Sequence, residues 1–141
     1  MVDATVTPAN VVKGSDAGLR KVTYGATIAQ GKTVYKDNTD GEWKLADADA
    51  SAATAGAAGI GYALTSGADG QDGVILGEGA SSPFDPGFTA TEGVVYCVSA
   101  TAGGIAPFGD LVTGDYVTII GVGDSNGDLV PIFKVTGAQV Q

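Results

Sequence analysis

The chain has no histidine, one cysteine, one tryptophan and seven basic residues among 141. Each scarcity removes a class of function. Without an imidazole there is no Ser-His or Cys-His nucleophile pair, and the commonest zinc ligand is missing. A lone cysteine, Cys97, forms no disulfide within the chain. Its place in the apolar run GVVYCVS marks it as a buried, inert thiol. No apolar run approaches the roughly 18 residues that a membrane span needs, so no membrane partner is expected. The opening MVDATVTPAN has neither a basic region nor an apolar core, and no secretory signal is expected there. The single Trp43 lies beside a turn and reads as packing rather than as a carbohydrate platform.

The few bases are unevenly placed. Residues 1–45 hold six of them against five acids, whereas residues 46–141 hold eleven acids and only Lys134. A body this acidic does not neutralise phosphates, so no nucleic-acid partner is expected. It suits contact with a basic surface, or simply solubility.

What is abundant is glycine, 23 residues, roughly twice the usual share. Short β-branched runs lie between the glycines. Length and pattern together predict one all-β domain over residues 1–141, a small β-barrel or β-sandwich. Strands are expected at 2–7, 19–24, 32–35, 42–45, 60–65, 73–77, 93–99, 115–123 and 129–135. Asp40-Gly41 and Asn126-Gly127 mark hairpin turns. VVYCV and VTIIGV are apolar on both faces and read as central strands. Pro131 cannot donate to a ladder, which puts it at an edge or a bulge. The Ala-, Asp- and Thr-rich stretch 46–58 reads as a short helical or loop insertion. The connection 77–93 is long enough to be packed by its own side chains, Phe84 and Phe88 among them.

Motifs for chemistry fail one by one. GDSNG (123–127) begins like a serine-esterase block, but no histidine exists to serve it. DSNGD places Asp124, Asn126 and Asp128 at calcium-loop spacing, yet Leu129 and Val135 stand where that loop needs Gly and Glu. GIGYAL and GVGDSN lack the third glycine of a dinucleotide loop, and TAGGIAP lacks the Lys-Ser/Thr ending of a nucleotide loop. Carboxylate pairs such as Asp47/Asp49 and Asp69/Asp72 sit in small polar segments without an apolar pocket to raise an acid pKa. No catalytic residue, cofactor or metal is expected, and the chain reads as a non-enzyme.

One resemblance is carried by particular residues. The stretch GVVYCVSATAGGIAPFGDLVTGDYVTIIGVG contains a YxVSxTAGGIAP block, then an acidic DL...GDYVT block, then GVG. It resembles small bacteriophage structural proteins encoded near the major capsid protein. GKTVYKDNTDGEWKLADADASAATAGAAGIGYAL is similar to the matching part of those proteins, so the likeness spans residues 31–123. The resemblance implies a capsid decoration, or cement, protein. Its partners would be the major capsid protein and itself, commonly as a homotrimer, on the outer surface of the expanded head in the virion. An extended N-terminal arm over 1–15, with Val2, Ala4, Val6 and Pro8, is the candidate capsid contact; an ordinary first strand of the fold is the equal alternative. Phe84, Phe88, Ile105, Pro107 and Phe108, on the loops 77–93 and 100–111, are the candidate subunit interface. Two other classes stay open: a fibre or baseplate β-module that binds host glycans, and a small calcium-dependent adhesive domain.

Overall fold

The computed structural model describes residues 3–8, 11–12 and 18–141. Eleven strands are assigned: β1 (Val11–Val12), β2 (Leu19–Thr23), β3 (Thr33–Lys36), β4 (Trp43–Leu45), β5 (Ile60–Ala63), β6 (Asp72–Gly77), β7 (Asp85–Pro86), β8 (Val95–Val98), β9 (Ile105–Pro107), β10 (Tyr116–Gly123) and β11 (Leu129–Gln139). They form two main antiparallel sheets, a five-stranded one ordered β2-β6-β5-β3-β4 and a four-stranded one ordered β11-β10-β8-β9, with a small β1-β7 pair beside them. The fold is an all-β sandwich, and neither sheet closes into a barrel.

Alternation of side chains across each strand builds the core. Ile60, Tyr62 and Leu76 on the five-stranded sheet meet Tyr96, Val98, Ile105, Ile120, Leu129 and Phe133 on the four-stranded one. The opposite face of the five-stranded sheet is also buried. Val34, Ala63 and Ile75 point there and pack with Tyr24, Ile28 and Trp43. The sheet curls over this second cluster. Its two outer strands approach where Tyr24 bridges Trp43, with Gly25 N–H donating to Trp43 O at 2.8 Å. The Tyr24 ring lies directly on Gly73, where a Cβ atom would stand 2.3 Å from it. Only glycine allows that approach.

Polar groups in the core are satisfied. Tyr62 Oη donates to Pro86 O at 2.6 Å, and its ring sits 5.5 Å from that of Phe84. Thr118 Oγ1 donates to Ala55 O at 2.6 Å. The β3–β4 hairpin turns at Gly41, whose φ of 76° is the left-handed conformation a tight turn requires. Lys44 Nζ holds Asp37 Oδ2 at 2.7 Å and Asp40 Oδ2 at 3.0 Å across that turn.

Several expectations change. Of the helical and loop readings of residues 46–58 the loop holds: they form successive turns, with Ala46, Ala48 and Ala55 buried. Small side chains serve there because the loop backbone itself bonds to the body: Ala48 N–H donates to Ser99 O, and Ala48 O accepts from Tyr116 N–H. Residues 3–7 are not in a strand. Residues 105–107, expected in a loop, form β9. Pro131 does lie on an edge strand, and the ladder slips opposite it, between Ile119 and Gly121. Within this bulge Phe133 takes a φ of 49°, a conformation costing about 1–3 kcal/mol that burial of its ring offsets.

Tyr62→Phe leaves the Pro86 carbonyl buried without its donor. The expected loss is about 1–3 kcal/mol in a urea titration, with an unchanged m-value.

Candidate functional site

The residues singled out in the sequence fall in three places. Val2 lies outside the described residues. Ala4, Val6 and Pro8 follow, and the first two are half-buried against the chain's own core. Ala4 N–H donates to Ile105 O at 3.0 Å, and Thr7 N–H donates to Gly87 O at 2.8 Å. Asp3 accepts a hydrogen bond from Ser99 Oγ. Residues 3–8 thus lie along the TAGGIAP corner and reach the 77–93 loop. Only Thr5, Thr7 and Pro8 of this run are exposed.

The TAGGIAP corner is built for a reversal of direction. Gly103 takes a φ of 76°, and a Cβ there would stand 2.7 Å from Leu45 Cδ2. Its N–H donates to Ala46 O and its carbonyl accepts from Thr33 N–H, so the corner is bonded to the other sheet. The chain then enters β9. Ile105 is 1% exposed and belongs to the core between the sheets. Phe84 is likewise 1% exposed, against Tyr62. Neither offers surface to a sister subunit, which corrects the expectation for both: alternation along β9 turns Ile105 inward, and the bridge from Phe84 to Leu129 carries Phe84 under the sheet edge. Phe88 is half-buried, its ring 5.2 Å from that of Tyr96. Pro107 is half-buried at the end of β9.

Phe108 is different. It opens a short 3₁₀ turn, Phe108–Asp110, and is 49% exposed. Val112, just beyond, is 63% exposed. The turn is held firmly: Val112 N–H donates to Asp115 Oδ2 at 2.9 Å, and Asp115 is buried. Two more exposed apolar residues, Val130 at 38% and Ile132 at 47%, lie on β11. Their neighbours on the same outer face of the four-stranded sheet are half-buried valine and isoleucine. Val122 pairs with Val130, Val95 pairs with Val122, and Ile119 pairs with Lys134. Alternation along 129–135 separates Val130 and Ile132 from Pro131 and Phe133 but does not tell which pair faces outward. An outward sheet face normally carries polar residues, so an apolar one marks contact with another surface.

Cys97 points to the same outer side yet is fully buried, and burial pushes its thiol up to about 12. The Asp124–Asp128 turn uses its carboxylate for its own backbone. Asp124 Oδ1 accepts from Asn126 N–H at 2.8 Å and from Asp128 N–H at 3.0 Å. Among the described residues no three His, Cys, Asp or Glu side chains are grouped to hold a metal ion. Trp43 is buried against the curled sheet, with an edge reaching Gly59.

Compared with models of known protein families and with curated proteins, the chain matches none.

Burial, reinforced by the charges of Asp124 and Asp85, raises the Asp128 carboxyl above its ordinary value. Burial and then Asp49 raise Asp47 in the same direction. Raised carboxyls bind protons more tightly in the folded state, so folding gains stability as pH falls through their raised values toward 3.8. Asp37 and Asp40 oppose this. Asp37 is lowered chiefly by Lys44, and Asp40 by the Glu42 N–H and then Lys44, so their contribution is lost as pH falls below 3.8. The melting temperature is therefore expected to rise from neutral pH to a mildly acidic maximum and then fall. Asp128→Asn should flatten the rise; an unchanged slope between neutrality and the maximum would show that Asp128 does not drive it.

Denaturant titration separates the two kinds of apolar residue on the corner. Ile105→Asp places a charge in the core and should cost more than about 4 kcal/mol. Phe108→Asp should stay within about 0.5 kcal/mol of the parent.

Proposed function

We propose that the protein is a structural virion component: it binds the outer surface of the expanded phage capsid, as a homotrimer, and stabilises the shell without catalysis. The observation that carries this reading is the pair of exposed apolar patches, Phe108 and Val112 on the turn after β9 and Val130 and Ile132 on β11, at opposite edges of the four-stranded sheet. The turn that carries Phe108 and Val112 lies within the stretch that resembles phage decoration proteins. A rigid sandwich with such patches suits binding between subunits, where each added contact must break before the shell opens. Many copies on one shell give avidity from modest individual contacts.

Co-sedimentation with purified heads tests the reading. The protein is expected to saturate expanded heads and to bind unexpanded ones little. The Phe108→Asp/Ile132→Asp double variant should keep the parent's melting temperature and lose most of that binding or its trimer on a sizing column. Failure to pellet with any expanded capsid overturns the reading.

A further inference from the structure

A groove of about 530 Å³ opens beside β2 at the mouth of the curled sheet. Its walls carry Arg20, Lys21 and Lys36 against the single acid Glu78, with the Lys21 ammonium itself paired to Asp72 at 3.4 Å on the strand's other face. Such a balance stands out on a chain with a net charge of −9. The floor is apolar, made by Val22 and Trp43 with the bare backbone of Gly59. Arg20 is held in place by a hydrogen bond from Nη2 to Glu78 O at 2.8 Å. That bond uses only part of its guanidinium donor fork.

The backbone decides what kind of ligand fits. Among the described residues β2 is an edge strand, and β6 is its one ladder partner. Gly77 N–H donates to Gly18 O, and Tyr24 N–H donates to Gln71 O. The antiparallel alternation therefore turns the peptide groups of Leu19, Lys21 and Thr23 away from β6, toward the open side. Three consecutive residues, Arg20, Lys21 and Val22, line the groove. Side chains alternate along a strand, so three in a row line a space only when the strand's edge faces it. Free peptide groups along one wall, cations above and an apolar floor below together define a site for an extended chain bearing carboxylates.

We propose that this groove binds an extended acidic peptide segment of a partner polypeptide, added as a strand along the open edge of β2 with its carboxylates on Arg20 and Lys36. Main-chain pairing supplies affinity and the cations supply the preference for acid. Arg20 offers a paired contact to one carboxylate, and Lys36 acts as a point charge. The site is separate from the apolar face of the four-stranded sheet, and its test needs no capsid.

Trp43 is the only tryptophan and lines the groove, so its emission reports occupancy directly. The probe is an acetylated, amidated hexapeptide of alternating glutamate and threonine. A saturable change in emission is expected, weakening as salt is raised. Affinity should fall at least about tenfold for three controls: the glutamine-for-glutamate peptide, a peptide N-methylated at alternate residues, and the Arg20→Gln/Lys36→Ala variant. Lys36→Ala alone replaces the double variant if that one lacks the parent's melting transition. No saturable change overturns the proposal. So does equal binding of the glutamine peptide, which removes the carboxylates from the argument. Equal binding of the N-methylated peptide, or tighter binding of a sulfated oligosaccharide, overturns strand addition and makes the groove a general polyanion site.

Discussion

The five-stranded sheet is packed on both faces, and that double burial constrains the rest of the molecule. Ile60, Tyr62 and Leu76 face the second sheet, while Val34, Ala63 and Ile75 face Tyr24, Ile28 and Trp43. With one partner sheet available, the other face has to be covered by the sheet's own curvature. Curling needs bare backbone where a ring lies flat on the sheet, and Gly73 under Tyr24 provides it. The bridge between Tyr24 and Trp43 then draws the two outer strands together at one point only. Below that point the seam stays open, and the basic groove occupies it.

The four-stranded sheet has the opposite character. One face packs in the sandwich, and the other leaves Val130 and Ile132 exposed. Its edge is poorly suited to pairing with a neighbour. Pro131 removes a donor, the ladder slips beside it, and Phe133 and Gly137 both take positive φ values. These features bend the edge and work against open-ended strand addition. The apolar face of Val130 and Ile132 therefore suits packing against a surface, whereas the groove at β2 suits an extended chain. One chain carries two modes of contact on different sheets.

Much of the fold was legible in the residues. Runs such as VVYCV and VTIIGV, apolar on both faces, form the inner strands β8 and β10 of the four-stranded sheet. Asp40-Gly41 and Asn126-Gly127 mark real reversals, with Gly41 and Gly127 at φ values of 76° and 84°. What was not legible depended on distant partners. Residues 3–7 alternate like a strand, but they bond singly to Ile105 and Gly87 and join no ladder. β9 is only three residues long and follows two glycines, so nothing local separates it from a loop. Its place is set by pairing with β8.

The candidate surfaces show the same division. Phe84, Phe88, Ile105, Pro107 and Phe108 look alike in sequence, as apolar residues on glycine-rich connections. Tertiary structure sorts them by which way each is turned, and only Phe108 among them is exposed. Val130 and Ile132 alternate with Pro131 and Phe133 in the sequence, but an alternating strand hides whether its outward positions meet solvent or a partner. The charge asymmetry was visible from the start, as six bases within the first 45 residues. Its meaning was not, because Arg20, Lys21 and Lys36 belong to strands that meet only when the sheet curls. Lys44 comes from the same segment and is spent on its own hairpin, between Asp37 and Asp40. A count of bases cannot distinguish that lysine, or Lys21 with its Asp72 partner, from Arg20 and Lys36 at the groove. For Lys44 the difference is the presence of two turn carboxylates within reach, and it follows from the tight reversal at Gly41 that brings those acids under the Lys44 ammonium.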